Sequence, residues 1–197
     1  MKHAGTEKIK TDRLLLRKFK KRDAPAMYRN WASDEMVTRF LMWPPHSSPR
    51  ETRKIVRGWA GHYDHRDWYQ WAIVLREGEI LVGSIGVNRF LERTRTAQIG
   101  YCIGRQWWHR GITSEALSAV IAYLFERTPV QRIAAWHDPR NPHSGAVMRK
   151  CGMTYEGLLR KADWNNQGIC DACHYSILRD EYEERRERET EVGRGCC

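Results

Sequence analysis

The chain has 197 residues, of which 41% are hydrophobic and 29% charged, and it carries a net charge of +10 with a pI near 9.5. That length suits one domain, and this balance of apolar and charged residues excludes a disordered chain. The longest apolar run, residues 118–125, falls far short of the ~20 residues of a membrane span, and the start lacks the apolar core of a secretory signal. A cytoplasmic protein with no membrane contact is expected.

In chain order, "DRLLLRKF" reads as a strand with Leu14 and Leu16 on one face and Leu15 on the other. The basic run at 17–22 reads as its solvated end and turn. "RDAPAMYRNWAS" reads as a helix capped by Asp23 with Pro25 in its first turn. After the break "WPPHSSP", Ser48 is placed to cap a second helix, with Pro49 at its first position and Glu51 three residues beyond the cap. Ile55, Val56, Trp59 and Tyr63 share a face of it. "YQWAIVL", "ILVGSIGVNRF" and "TRTAQIGYCIG" are strands. A helical period follows, with Leu117, Val120, Ile121 and Leu124 on one stripe. "VQRIAAW" is a strand, and "NPHSGAVMRKCG" is a short helix closed by Gly152. "MTYEGLL" and "CHYSILR" are final strands. Residues 8–184 form the domain. Residues 185–197 are a charged tail, helical and frayed at first and disordered over "GRGCC". Hairpin strands followed by a strand–helix–strand crossover give an α/β fold with a mixed sheet and helices on both faces. Such a sheet can splay where parallel pairing replaces antiparallel.

Of six cysteines, Cys170 and Cys173 form a single C-x-x-C without a second pair at zinc-ligand spacing, so free thiols and no metal are expected. The basic charge favours anionic partners, although no zinc-finger, basic-zipper or RNA-recognition signature is present.

The chemistry concentrates around "WWHRGITSEAL". A strand runs into bulky and cationic residues, one glycine and a helix start. The first N–H groups of a helix lack internal partners and, with the helix dipole, favour an anion. Gly111 permits a tight turn and close approach, Arg110 and His109 add charge, and Thr113 and Ser114 add hydroxyls. A diphosphate fits, although neither G-x-x-x-x-G-K-[ST] nor G-x-G-x-x-G is present.

"TDRLLLR", "IGYCIGRQWWHRGITSEAL" and "NPHSGAVMRKCGM" together resemble the GNAT superfamily of N-acetyltransferases. The likeness is to the branch of ribosomal-protein N-terminal (RimJ/RimL-like) and spermidine acetyltransferases, over nearly the whole chain. The resemblance implies the GNAT fold, splayed at its central strands, and acetyl-CoA as acyl donor. It implies that Trp108, His109, Arg110, Gly111, Ile112 and Thr113 wrap the pyrophosphate. Trp108 stands where the family has Gln or Arg, Thr113 where it has Gly or Ala, and His109 where this branch has Gly. Tyr101, Cys102 and Ile103 match the family's bulged strand, whose backbone pairs with pantetheine and polarises the thioester carbonyl. Asn141 matches the asparagine of the family's penultimate helix. The tyrosine acid that many members carry seven residues later is Met148 here. Ser144 of the N-x-x-S stretch takes the place of the residue beside the sulfur, while also suiting a helix cap.

The implied reaction is direct transfer from thioester to amine, which requires a base for the amine and a donor for the thiolate. Asp163, in "KADWNNQG", occupies the branch's proposed base position, one methylene shorter than Glu, in what reads as a turn. His137, at the end of its strand, has the near-neutral pKa of a base, and water is the third candidate. Trp31, Trp43, Trp59, Trp68, Trp71 and Trp164 are candidates for the acceptor wall or the core. The leading acceptor is the N-terminal amine of a protein such as a ribosomal one, with ribosome proximity, and a homodimer is compatible. A small amine, polyamine or antibiotic, a non-catalytic acyl-CoA-binding module and a basic nucleic-acid-binding domain are the alternatives.

Overall fold

The computed structural model describes residues 1–194. Alternating burial sets the first strands: β1 (Ile9–Lys10) pairs with β2 (Leu14–Arg17), whose Leu14 and Leu16 are fully buried. The chain then enters a 3-10 turn, Lys21–Asp23, and α1 (Ala24–Met27), which continues as a π-helical turn over Tyr28–Ala32. The helix thus begins before Asp23, and Asp23 does not cap it. Its carboxylate instead accepts from Arg17 at 2.6 and 2.9 Å and from the Lys20 N–H at 2.7 Å, joining strand end to helix start. A short helix that the periodicity did not mark, α2 (Glu35–Thr38), follows with Asp34 as its cap. Helix α3 (Pro49–Gly61) starts as the sequence indicates, Ser48 Oγ accepting the Glu51 N–H at 3.4 Å. The Glu51 carboxylate reaches back to the Ser47 N–H at 2.7 Å, one residue beyond the usual capping box.

Next come β3 (Gln70–Leu75), β4 (Leu81–Leu91), β5 (Thr96–Ile103), α4 (Ile112–Arg127), β6 (Arg132–His137), α5 (Pro142–Lys150), β7 (Thr154–Asn165), β8 (Gly168–Leu178) and α6 (Arg179–Arg194). They build an eight-stranded sheet in the order β1-β2-β3-β4-β5-β6-β8-β7. Every pairing is antiparallel except β5–β6, which is parallel and limited to Thr96–Arg132, Ala97–Ile133 and Gln98–Ala134. Beyond Gln98 the two strands part, which is the expected splay. The bulge expected on the Tyr101–Ile103 strand lies instead on β4. Val87 and Arg89 face the consecutive residues Ile99 and Gln98, leaving Asn88 as the extra residue. Strands β7 and β8 are longer than their apolar runs suggested, because the hairpin extends through "KADWNNQG" to a tight turn at Asn166 and Gln167.

Helices cover both faces. On one, α4 contributes Leu117, Val120, Ile121 and Leu124 to a core with Leu14, Leu16, Ile73 and Ile85, joined by Met148 of α5 and Tyr182 of α6. On the other, Phe19, Met27, Trp31 and Val56 pack against Val74 and Leu81. Helix α6 is not a loose tail at its start: the Tyr182 ring lies 5.1 Å from that of Phe125, and Arg185 donates to the Cys151 carbonyl at 3.1 Å. Gly193 and Arg194 continue the helix, and the rest of the stretch expected to be disordered, 195–197, lies outside the described residues. Among the described residues no helix is long and apolar enough to cross a membrane.

The end of α5 is fixed by a Schellman cap. Gly152, at φ +81°, donates to Arg149 O at 2.9 Å, and Met153 donates to Met148 O at 3.1 Å. A Cβ at Gly152 would stand 1.9 Å from Arg185 Nη1. Replacing Gly152 with Ala imposes both the left-handed penalty of about 1–2 kcal/mol and displacement of Arg185. The urea midpoint of Gly152→Ala is expected to fall accordingly, with an unchanged m-value.

Candidate functional site

The parting of β5 from β6 leaves one edge of β5 open. Gly104 N–H donates to Val82 O at 2.9 Å, which sets the phase of the β4–β5 ladder. By antiparallel alternation, Cys102 and Gly100 direct their N–H and C=O to β4, while Tyr101 and Ile103 direct theirs into the gap. The Ile103 carbonyl accepts the Trp108 indole N–H at 2.9 Å. The Cys102 thiol lies 3.4 Å from Ser84 Oγ, and burial pushes its pKa up to about 11, so it stays protonated.

Below this edge the chain makes its glycine turn. His109 sits at φ +59° and Gly111 at φ +71°, and α4 begins at Ile112 with no side chain capping it. Its first N–H groups therefore remain available to an anion. The left-handed conformation costs His109 roughly 1–2 kcal/mol that glycine would not incur. Its ring packs edge-on against His143 at 4.7 Å. Thr113 is helical without strain. The turn is tied down from the connection between β1 and β2. Glu115 accepts from Thr11 Oγ1 at 2.6 Å, the Arg13 N–H at 3.0 Å and Arg13 Nε at 2.7 Å, while Arg13 Nη1 donates to Arg110 O at 2.9 Å. Arg13, Arg110 and Lys150 form a cationic rim around Gly111.

Helix α5 supplies the opposite wall. Asn141 opens it, and Ser144 lies in its first turn, where the Tyr101 hydroxyl stands 3.0 Å from both Ser144 Oγ and Ser144 O. Between these parts is a cavity of about 330 Å³. It gathers Tyr101, Cys102, Ile103, Trp108, His109, Arg110, Gly111, Ile112, Thr113, Asn141 and Ser144, eleven of the thirteen candidates read from the sequence.

His137 and Asp163 do not line it. The His137 ring is buried under α5, its Nδ1 2.8 Å from Asp138 O and its Nε2 without a partner. A Cβ on Gly145 would lie 2.4 Å from that Nε2. Burial lowers the His137 pKa, so the ring is neutral and seats the helix rather than opening on the cavity. Asp163 is on β7 opposite Cys170, not in a turn, and Oδ2 accepts the Trp136 indole N–H at 2.5 Å. None of the six tryptophans considered for the acceptor wall lines the cavity; Trp31 and Trp71 are fully buried. The residues missed are Val37, Phe40 and Leu41, from α2 and the loop after it, Trp107 and Ala146, and His143, Val147 and Lys150. The last three share a helix face at i, i+4 and i+7, a pattern that the sequence does contain. The loop carrying Leu41 has no such signal. It is held by the β7–β8 hairpin, where Asn166 N–H donates to Leu41 O at 3.1 Å and Asn166 Nδ2 to Thr38 O and Trp43 O at 2.9 and 2.7 Å.

Residues 13–154 match the acetyltransferase (GNAT) domain family. The chain belongs to the GNAT acetyltransferases. It is 32% identical over 171 residues to the uncharacterized N-acetyltransferase YoaA of Bacillus subtilis, covering 87% of this chain and 96% of that one. It is 30% identical to the ribosomal-protein-serine acetyltransferase of Escherichia coli, over 71% of this chain and 78% of that one. Its fold superposes on RimL, a ribosomal L7/L12 α-N-protein acetyltransferase solved with coenzyme A, with a TM-score of 0.76 at 24% identity, covering 87% of this chain and 98% of RimL.

As a GNAT enzyme the protein transfers acetyl from acetyl-CoA to an amine. Its residues fit that donor: open N–H groups at Gly111 and a cationic rim suit a pyrophosphate, and the free β5 edge suits an amide-bearing arm. The Glu115 anchor makes the turn acid-sensitive. Burial alone would raise the Glu115 pKa, but bonds from Thr11 and Arg13 outweigh it and hold the carboxyl below the usual glutamate range. A depressed folded pKa contributes stability that is present above the unfolded value, ~4.3, and is lost as pH falls from there through the folded value. Between about pH 5 and 3, the urea midpoint is expected to fall more steeply for the wild type than for Glu115→Gln.

Proposed function

We propose that this enzyme acetylates the α-amine of a protein or peptide N-terminus, with Ser144 as the hydrogen-bond donor to the departing sulfur. The observation that carries this reading is one continuous cavity. It joins the Gly111 turn, the open β5 edge and Ser144 to an apolar end at Val37, Phe40 and Leu41. The name of the Escherichia coli relative, an acetyltransferase of a ribosomal protein's serine, supports a protein acceptor. So does the apolar end, which has no carboxylate in its lining to hold a polycation. An α-amine, with a pKa near ~7.7–8.0, has a usable free-base fraction at neutral pH, whereas a lysine amine has far less.

Asp163 does not line the cavity, so in this reading it accepts the proton at a distance, through a bridging water. Its Oδ1 has no partner among the described residues, and its strand leads to Asn166, which holds the loop carrying Leu41. The amine nitrogen bonds the carbonyl carbon, the C–S bond breaks with its pair on sulfur, and the ammonium proton leaves by that water.

Thiol release is to be followed with acetyl-CoA and a panel of Ser- and Ala-initiated peptides, polyamines, amino acids and aminoglycosides. Turnover is expected with peptides. Turnover with small amines alone would overturn the substrate class. With the preferred acceptor, Ser144→Ala is expected to lower kcat about 10- to 100-fold while leaving acetyl-CoA affinity by calorimetry unchanged.

A second measurement addresses the base. For Asp163→Asn, kcat/KM is expected to drop about tenfold below the acceptor's own amine pKa and to converge on the wild type above it. Parallel pH profiles for the two proteins would remove Asp163 from the chemistry.

A further inference from the structure

We propose that Tyr101 is a positioning residue for the transfer: its phenol holds the Ser144 hydroxyl in the orientation that receives the leaving sulfur. This rests on the assignment of Ser144 made above. The backbone of Tyr101 belongs to the open edge of β5, but its side chain does something separate. It crosses from β5 to α5, the two sides of the splay, and ends 3.0 Å from Ser144 Oγ and 3.0 Å from Ser144 O. Both residues line the cavity.

The bond inventory makes this contact a two-state device. A phenol has one proton and a serine hydroxyl has one. In the first arrangement, Tyr101 donates to Ser144 O and the Ser144 proton rests on the phenol oxygen, turned from the cavity. In the second, Tyr101 donates to Ser144 Oγ, and the serine proton is free to point into the cavity. The first arrangement holds two neutral bonds between these groups and the second holds one, so the first is preferred at rest by a single neutral bond. As the C–S bond breaks, its electron pair stays on sulfur, and a charge-assisted bond from Ser144 becomes stronger than a neutral one. That selects the second arrangement, with the Tyr101 proton filling the lone pair of the oxygen now donating to sulfur and strengthening the donor. No proton passes between Tyr101 and Ser144. The proton released by the amine leaves by the route already described. Burial holds the Tyr101 pKa well above that of a free phenol, so it remains a donor wherever the free amine exists.

Helix α5 does not depend on this contact for its position. Gly145 packs directly on the His137 ring, and Gly152 caps the far end. Tyr101→Phe therefore retains the ring and the helix and removes only the donor. A freed Ser144 hydroxyl can then turn to the carbonyl of Asn141 at the helix start.

The test is a double-mutant cycle of Tyr101→Phe, Ser144→Ala and the double variant. Thiol release from acetyl-CoA is followed with a serine-initiated hexapeptide, or with water as acceptor where the peptide is not used. Calorimetry measures acetyl-CoA binding. Tyr101→Phe is expected to lower kcat about tenfold with KM and acetyl-CoA affinity unchanged, and to have no further effect when Ser144 is already Ala. Additive losses, an unchanged kcat, or an effect confined to KM or to acetyl-CoA affinity would overturn the positioning role while leaving Ser144 in place. If Ser144→Ala alone is silent, the assignment of Ser144 fails, and this inference with it.

Discussion

Everything at the site follows from how little of β5 pairs with β6. Three parallel register pairs, from Thr96 to Gln98, join two halves of an otherwise antiparallel sheet. Had the ladder continued, the N–H and C=O groups of Tyr101 and Ile103 would have been consumed by β6, as interior strands require. Because it stops, these groups face a gap, and that gap must be lined by something other than a strand. Two helix starts do this: α4 after β5, which presents open backbone donors, and α5 after β6, which begins on Pro142 and presents the Ser144 side chain. Carbonyl and N–H on one side, helix N-termini below and beside: the chemistry of a thioester carrying a diphosphate is matched mainly by main chain.

A backbone-built site explains which sequence departures matter. Trp108 replaces a polar residue, yet its indole is used structurally, donating to the Ile103 carbonyl and so closing one of the free groups of the edge. His109 takes the left-handed conformation that a glycine takes without penalty, and its packing on His143 offsets part of that cost. Thr113 is simply helical. The turn keeps its shape because Gly111 is retained at the other left-handed position, and because Thr11 and Arg13 hold Glu115 from outside.

Much of this was legible in the sequence because it rests on local rules. The leucine stripe of α4, the Ser48 cap, Gly152 as terminator and the alternation of Leu14 and Leu16 all depend on neighbours a few residues away. What was not legible depends on distant ones. Asp23 has the residue type and place of a cap, but Arg17 claims it first through a two-pronged bond. The bulge belongs to Asn88 rather than to β5. Gly100 leaves room for the Asn88 side chain, since a Cβ there would lie 2.5 Å from Asn88 Nδ2, and only the paired strands reveal this. His137 has the pKa of a base in isolation, but Gly145 lowers a helix onto it. Asp163 reads as a turn residue because "NNQG" follows, yet the turn is only two residues wide and the strand runs up to it.

The charge of the molecule fits the same arrangement. Arg13, Arg110 and Lys150 ring the turn where a polyanionic donor would enter, whereas the other end of the cavity ends in Val37, Phe40 and Leu41. A net charge of +10 draws a coenzyme A ester in and raises its encounter rate, and it opposes a polycationic acceptor at the same range. Selection between acceptors therefore begins before contact. In the proposed reading it is completed at a wall held in place by Asn166, whose three bonds to the backbone at Thr38, Leu41 and Trp43 are insensitive to the side chains there. That separation lets Phe40 and Leu41 vary without disturbing the donor end, where the constraint is the geometry of the main chain.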